Sequence, residues 1–205
     1  MESSMLSMRI LDVLNYVERK SDELSIPRIG RDDGIALYSI LYMLTHGKSD
    51  FVAIDAGAGI GYSTIWLLAA LENSYTKSRL YAIEWNRERF EILKEVLNAV
   101  PKNRTDVSTV YGDALKYVRS NFSENAIDFI FIDIDKDIYA EMFDIVKKRI
   151  RENGVVVYHN AYMARRTVIS IIKRASEEGW ASTVIPTNEG LLLLRPPIKY
   201  VEKMD

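Results

Sequence analysis

The chain contains 205 residues, 27 of them Lys or Arg and 29 Asp or Glu, and its net charge at pH 7 is −2. This balance gives no global reason to expect nucleic acid or an anionic membrane surface as a partner. The chain contains no cysteine, which excludes disulfides, thiolate catalysis and zinc–cysteine sites. No apolar run reaches the ~18 residues that cross a bilayer, and residues 1–8 lack the features of a signal peptide. We therefore expect a cytoplasmic protein with no membrane partner.

The length suits a single domain that comprises residues 1–205. Apolar residues at helical spacing predict two helices at 5–19 and 32–44, both within the leading segment 1–47. Residues 48–195 then alternate between strand and helix patterns, and residues 196–205 form a tail. The elements expected in this core are, in order, strand 51–56, helix 62–71, strand 79–83, helix 87–100, strand 106–111, helix 114–120, strand 127–132, helix 137–150, strand 154–158, helix 163–178 and strands 180–185 and 191–194.

This alternation predicts an α/β fold with a mostly parallel sheet of seven strands, helices on both faces and a C-terminal antiparallel hairpin. Ligands of such sheets bind at the carboxyl ends of the strands, near the point where the strand order reverses. A carboxylate at the edge of an apolar core is costly without a partner, so polar strand ends are the candidates for a ligand site. These ends carry Asp55, Glu84, Asp113, Asp133, Asp135, His159 and Asn160.

The most informative stretch is the glycine run that follows the first predicted strand. Gly57, Gly59 and Gly61 allow a tight turn and a close approach of the backbone to a ligand, and a helix begins at Tyr62. The free N–H groups of that helix face the same region, which predicts a site for a small anionic ligand. The spacing G-x-G-x-G differs from the G-x-G-x-x-G of dinucleotide-binding proteins and argues against NAD.

Three residues beyond the next strands have both a ligand-binding and a structural interpretation. Glu84 is positioned to take both hydroxyls of a ribose, or it is a solvated carboxylate at a strand end. Trp85 stacks on an adenine in one interpretation and packs against the neighbouring helix in the other. Asp113 either accepts a hydrogen bond from an adenine amino group or caps the following helix.

Five segments of the sequence, AIDAGAGIGYSTIWLL, AIEWNRERFEI, VYGDALKYV, FIFIDIDKDIYAEMFD and NEGLLLLR, resemble in order and spacing the O-methyltransferases of the catechol and caffeoyl-CoA type. The resemblance covers roughly residues 26–195 and implies a Rossmann-like class I methyltransferase fold with S-adenosyl-L-methionine as cofactor. It also implies that the segment 29–34 is an upstream cofactor-contacting turn. The cofactor-binding residues implied are Ile29, Asp55, Gly57, Gly59, Gly61, Tyr62, Ser63, Glu84, Trp85, Gly112, Asp113 and Asp133.

The same resemblance implies a divalent cation, Mg²⁺, Mn²⁺ or another transition metal, bound by Asp133, His159 and Asn160, with Lys136 as general base. His159 departs from the family, which usually has Asp at this position. Three interpretations of His159 stay open: a cation site with altered metal preference, a lost cation site in which the imidazole is itself the base, and a histidine hydrogen-bonded in the core. Asp135 contacts the cation or the cofactor in one interpretation and caps a helix in the other.

The function expected from the sequence is methyl transfer from S-adenosylmethionine to a hydroxyl oxygen of a small aromatic acceptor. One alternative is methylation of a hydroxylated tRNA base, against which the acidic composition argues. Another is a cofactor-binding protein without turnover, which the changed residue at position 159 suggests. Whether the leading segment and the tail 196–205 form a homodimer contact is left open.

Overall fold

The structure, a computed structural model, describes residues 2–198, with side chains from residue 10 onward. Residues 199–205, part of the tail for which a dimer contact was left open, lie outside this range. The helices are α1 (Glu2–Glu23), α2 (Arg31–Leu44), α3 (Tyr62–Ser74), α4 (Arg87–Ala99), α5 (Ala114–Asn121), α6 (Tyr139–Val146) and α7 (Arg165–Glu177), with a 3₁₀ turn at Lys136–Ile138. The strands are β1 (Asp50–Ala56), β2 (Lys77–Glu84), β3 (Thr105–Tyr111), β4 (Ile127–Ile132), β5 (Ile150–Tyr158), β6 (Ala181–Ile185) and β7 (Leu191–Arg195).

The seven strands form one sheet in the order β3-β2-β1-β4-β5-β7-β6. Strands β1 to β5 are parallel, whereas β7 runs antiparallel to both β5 and β6. The predicted seven-stranded α/β fold with a terminal antiparallel hairpin is therefore confirmed. The order reverses between β1 and β4, where Ala56 pairs with Ile132, and Ile132 pairs in turn with Tyr158 of β5. The residues that follow β1, β4 and β5 consequently meet at one edge of the sheet.

The central strands are apolar on both sides because each face of the sheet is covered by helices. In β4, Phe129 and Phe131 pack into one hydrophobic cluster, whereas Ile130 and Ile132 pack into the cluster on the opposite face. All four side chains are fully buried. Strand β4, which leads to the edge where the residues after β1, β4 and β5 meet, is thus held by packing on both of its faces.

The predicted helix at 137–150 is wrong in its last four residues, since α6 ends at Val146 and β5 already begins at Ile150. Arg149 explains the early end, because its guanidinium donates hydrogen bonds to backbone oxygens of Arg119, Phe122 and Ile145. These bonds fix the chain in the connection between helix and strand. The pairing of β5 with β4 is irregular near its start, which explains why the sequence pattern begins only at residue 154.

None of the helices in residues 2–198 combines the length and the apolar character that a membrane crossing requires.

Candidate active site

The glycine turn after β1 lies directly against the end of β4. Gly57 has a φ of 93°, and a Cβ atom there would lie 2.1 Å from the carbonyl oxygen of Asp133. Only glycine fits this contact. The turn is also tied to β2, because the N–H groups of Gly57 and Ala58 both donate to the carbonyl oxygen of Ile83 at 3.0 Å. The first turn of α3 follows, and its N-cap, Gly61, has no side chain to occupy the helix N–H groups.

Glu84 connects the glycine turn to the next strand. Its Oε2 accepts a hydrogen bond from the N–H of Gly59 at 2.8 Å, and its Oε1 accepts one from the N–H of Asn86, also at 2.8 Å. The side chain is buried. Because each carboxylate oxygen can accept more than one bond, Glu84 can hold the turn in place and still bind a ligand hydroxyl.

Asp55 lies beneath the turn and is fully buried. Its Oδ2 accepts hydrogen bonds from Ser63 Oγ at 2.8 Å and Thr64 Oγ1 at 2.5 Å. Its Oδ1 is buried without a hydrogen-bond partner in the described structure. Burial raises the pKa of Asp55 to about 7, against these two bonds, and the charges of Asp133 and Glu84 raise it further. A cationic group next to Oδ1 would offset the cost of burying the negative charge of Asp55.

A small cleft brings together six of the residues predicted to bind the cofactor. Its walls include Ile29, Gly57, Gly59, Tyr62, Ser63 and Asp133. The segment that precedes α2 and the turn that follows β1 thus face each other across this cleft, although more than twenty residues separate them in the chain.

Two further residues of the cleft, Ser21 and Arg28, carry no signal in the sequence that marks them as ligand-binding. Ser21 Oγ and Arg28 Nε are both buried without a hydrogen-bond partner in the described structure. The Arg28 guanidinium lies 5.3 Å from the centre of the Tyr62 ring. The Tyr62 hydroxyl in turn donates to Glu18, so α1 closes this side of the cleft.

The residues predicted to contact an adenine lie farther along the sheet edge, beyond Glu84. Trp85 is 69% exposed, and the adjacent Tyr111 is 50% exposed with the Arg87 guanidinium over its ring. The N–H of Gly112 donates to the carbonyl oxygen of Glu84. Asp113 is the N-cap of α5 and accepts from the N–H of Lys116 at 3.0 Å. The structural interpretation of Asp113 therefore applies, and its ligand-binding role stays a prediction.

His159 lies at the other half of the edge, enclosed by three carboxylates. Its Nδ1 is 3.2 Å from Asp133 Oδ1, and its Nε2 is 3.3 Å from Asp33 Oδ2 and 3.4 Å from Glu189 Oε2. Only 3% of the side chain is exposed. Asp33 belongs to the first turn of α2, and Glu189 to the turn between β6 and β7. Asp33 lies within the predicted cofactor-contacting segment 29–34, but neither it nor Glu189 was predicted to contact His159.

Backbone contacts explain how these distant segments meet. The N–H groups of Ala161 and Tyr162 donate to the carbonyl oxygens of Gly190 and Glu189, which joins the hairpin turn to the loop after β5. Asp33 Oδ2 also accepts from the N–H of Gly30 at 2.9 Å, which fixes the carboxylate at the start of α2. Backbone hydrogen bonds therefore hold Glu189 and Asp33 close to His159.

The pKa of His159 rises to about 9, although burial by itself lowers it, because hydrogen bonds and charges from Asp133 and Asp33 outweigh the burial. Its partner Asp33 is buried, which raises its pKa, but the bond from His159 and other contacts leave that pKa lowered. Carboxylates on both sides of the ring thus favour its protonated form. The role of His159 as a general base stays a prediction.

The residues predicted to bind a divalent cation do not fit one. Both ring nitrogens of His159 face carboxylates, and the amide nitrogen of Asn160 donates to Glu189. A protonated imidazole and an amide nitrogen are donors and not metal ligands. Within residues 2–198, no group of three or more His, Cys, Asp or Glu side chains has an arrangement suited to a metal ion. Asp133 and the side-chain carbonyl of Asn160 still offer oxygens, so the misfit lies in His159, both of whose ring nitrogens face carboxylates.

The 3₁₀ turn after β4 carries the remaining predicted residues. Asp135 is its N-cap and accepts from the N–H of Asp137 at 3.2 Å, as expected for a capping role. Lys136 begins the turn and is half-buried, three residues after Asp133. Lys136 is therefore close in sequence to Asp133, the residue that both lines the cleft and contacts His159.

A glycine turn above a buried acidic residue, a second acidic residue at the end of β2 and this strand order together define a class I methyltransferase fold. The chain matches the family described as a methyltransferase domain over residues 54–161, just over half of its length. The chain belongs to this family. The class predicted from the sequence is thereby confirmed.

Individual relatives agree with this assignment. A curated protein of Mycolicibacterium smegmatis that carries a provisional O-methyltransferase name is 24% identical over 170 residues, which cover 77% of this chain and 78% of that protein. The fold is similar to the O-methyltransferase TomG from Streptomyces achromogenes in complex with SAM, with a TM-score of 0.75, 22% identity and coverage of 91% and 90%. It is also similar to an O-methyltransferase from Bacillus cereus in complex with SAH, with a TM-score of 0.73, 22% identity and coverage of 89% and 90%.

Proposed function

We propose that the protein is an S-adenosylmethionine-dependent O-methyltransferase and that its acceptor is a hydroxyl group on a small aromatic molecule. Membership of the methyltransferase-domain family and the O-methyltransferase relatives support the reaction class. The choice of acceptor class rests on the surroundings of Asp133 and on the resemblance to catechol and caffeoyl-CoA enzymes.

The cleft fits the amino-acid end of S-adenosylmethionine because it offers a partner to each charged group. Asp55 Oδ1, which lacks a partner, would pair with the ammonium group. Arg28 Nε and Ser21 Oγ, also without partners, would bind the carboxylate together with the N–H groups at the start of α3. Glu84 would take the ribose hydroxyls, as the resemblance implies.

The observation that carries the proposal is that Asp133 belongs to both halves of the site. It lines the cofactor cleft beside Gly57, and its Oδ1 is also 3.2 Å from His159 Nδ1. About a quarter of its side chain is exposed, at 26%. A methyl donor in the cleft and a hydroxyl group beside the histidine cluster would therefore meet at this carboxylate.

The surface beyond Asn160 supports an aromatic acceptor. Tyr162 is 51% exposed and Met163 is 72% exposed, although both are large and apolar. Both follow directly on the loop that holds the histidine cluster. An aromatic ring packed against them would bury apolar area and point its hydroxyl towards Asp133.

When bound, S-adenosylmethionine supplies an electrophilic methyl group to an oxygen in line with the leaving sulfur. The chain's own residues have to orient the acceptor hydroxyl and take up its proton. Asp133 accepts the hydrogen bond of the hydroxyl, which orients an oxygen lone pair towards the cleft. As the methyl group is transferred, this proton passes from the hydrogen bond with Asp133 to the amine of Lys136, the general base that the resemblance implies.

The test measures transfer of radiolabelled methyl groups to a panel of mono- and dihydroxylated aromatic compounds, alongside calorimetric titration with S-adenosylhomocysteine. We expect Asp133→Asn to lower kcat at least tenfold on any compound that is methylated. Asp137→Asn, an exposed carboxylate four residues on, is the matched control and should retain activity. Tight cofactor binding without transfer to any compound would refute the proposed function.

A further inference from the structure

We propose that the His159 side chain takes the place of the divalent cation that the O-methyltransferase resemblance implies, so that this protein transfers methyl groups without a metal ion. The inference rests on the proposed function for its reaction. Its structural part, the replacement of a cation by a side chain, concerns binding and can be tested separately.

The ring joins the same kind of groups that a cation would join. Carboxylates from three separate segments, Asp33, Asp133 and Glu189, lie within 3.2 to 3.4 Å of its two nitrogens. Asp33 and Glu189 lie next to Nε2, and Asp133 lies next to Nδ1. A single buried group therefore bridges all three acidic side chains, which is the structural task of a metal ion in an acidic site.

The ring and Asn160 already lie against the oxygens that a cation would need. Asp133 and Asp33 each have an oxygen 3.2 to 3.3 Å from a ring nitrogen, and Glu189 is shared between His159 and Asn160. The ring itself packs against Phe131, with ring centres 6.0 Å apart, and is almost completely buried. Displacing it to admit a metal ion would leave Asp33 buried without its cationic partner.

The experiment compares Mn²⁺ binding, followed by electron paramagnetic resonance, in the wild type and in His159→Asp. We expect the variant to bind Mn²⁺ at least tenfold more tightly than the wild type. The exposed His46, the other histidine of the chain, provides the matched control, because His46→Asp adds the same carboxylate outside the cluster and should not increase binding. A His159→Asp protein that folds only with Mn²⁺ would also support the proposal, through a metal-dependent rise in Tm.

Activity supplies the second measurement. We expect methyl transfer by the wild type to change less than twofold between excess EDTA and millimolar Mg²⁺ or Mn²⁺, whereas transfer by His159→Asp should depend on metal. Wild-type activity that falls tenfold in EDTA and returns with metal would overturn the proposal. So would micromolar Mn²⁺ binding by the wild type. If no compound is methylated, the proposed function fails, while the Mn²⁺ comparison still decides the role of His159.

Discussion

Asp55 provides a direct test of how the cofactor site affects stability. Replacing it with Asn removes a negative charge that the folded protein holds fully buried, while keeping an oxygen that can accept from Ser63 and Thr64. We expect Asp55→Asn to be more stable than the wild type at pH 8 without cofactor, and to bind S-adenosylmethionine less tightly. The site would thus be built for its ligand at the expense of the unliganded fold.

The magnitude follows from the pKa of Asp55, which is 3.8 as a reference and about 7 in the folded protein. A raised pKa of an acid means that its contribution to stability is complete below pH 3.8 and is lost as the pH rises through 7. Each pH unit in this window corresponds to about 1.4 kcal/mol, so the full loss is about 4 kcal/mol at pH 8 and about 2 kcal/mol at pH 5. The new Asn side chain places an amide N–H where no acceptor is available. This costs the variant about 1–3 kcal/mol of stability at either pH and reduces its gain over the wild type by that amount.

The assay is urea unfolding of the cofactor-free wild type and variant at pH 5 and pH 8. The stability of Asp55→Asn relative to the wild type should increase by about 3 kcal/mol between these values. Asp128→Asn is the control, since that buried carboxylate has cationic partners in Lys48 at 2.6 Å and Arg151 at 2.8 Å. It should destabilise the protein at both pH values, because it leaves two cations without their partner.

A difference between Asp55→Asn and the wild type that is the same at pH 5 and pH 8 would refute the reasoning. It would mean that the folded protein does not hold Asp55 with a raised pKa. A variant that binds S-adenosylmethionine as tightly as the wild type would separately contradict the role of Asp55 towards the ammonium group.

Three further changes test other parts of the site. Glu84→Gln should weaken S-adenosylhomocysteine binding at least tenfold in calorimetry, because an amide replaces one of the two oxygens offered to the ribose. Gly57→Ala should prevent folding or lower Tm by more than 10 °C, since the new Cβ would lie 2.1 Å from a backbone oxygen. Gly47→Ala is the control, because no atom lies within 4 Å of its new Cβ and the cost is limited to its φ of 72°. Equal melting temperatures of the two variants would contradict the packing argument. His159 has a folded pKa of about 9 against a reference of 6.5, so its contribution of about 3 kcal/mol is present below pH 6.5 and lost as the pH rises through 9. Unfolding of the wild type and His159→Gln from pH 6 to 10 measures this, and parallel curves would show that the ring is not charged.

Much of the fold could be predicted because the central strands are covered on both faces. The bounds of β4 agree with the prediction at both ends, since the apolar residues 129–132 end abruptly at Asp133 and the turn residue Asn125 shortly precedes Ile127. The end of α6 could not be predicted in this way. It depends on hydrogen bonds from Arg149 to the carbonyl oxygens of Arg119 and Phe122, which are 30 and 27 positions away, and no local pattern records them.

The site divides along the same line. The glycine turn is predictable because strand, turn and helix are consecutive, so their spacing alone indicates a ligand. The environment of His159 is not, since Asp33 lies 126 positions before it and Glu189 lies 30 positions after it. The residues next to His159 in the sequence suggest a metal ligand or a base. The three carboxylates around its ring, which favour the protonated form, are seen only in the structure.

The position of β7 between β5 and β6 determines when this site can first exist during folding. Glu189 and its turn reach His159 only after a late segment of the chain has been inserted into an otherwise parallel sheet. The β6–β7 hairpin is also the last part of the sheet to be synthesised, since β1 to β5 all precede it in the chain. A newly made chain would therefore pair β1 to β5 before its histidine cluster is complete, and methyl transfer would begin only once the hairpin has docked. Catalytic activity would then report the last step of folding rather than the formation of the cofactor cleft.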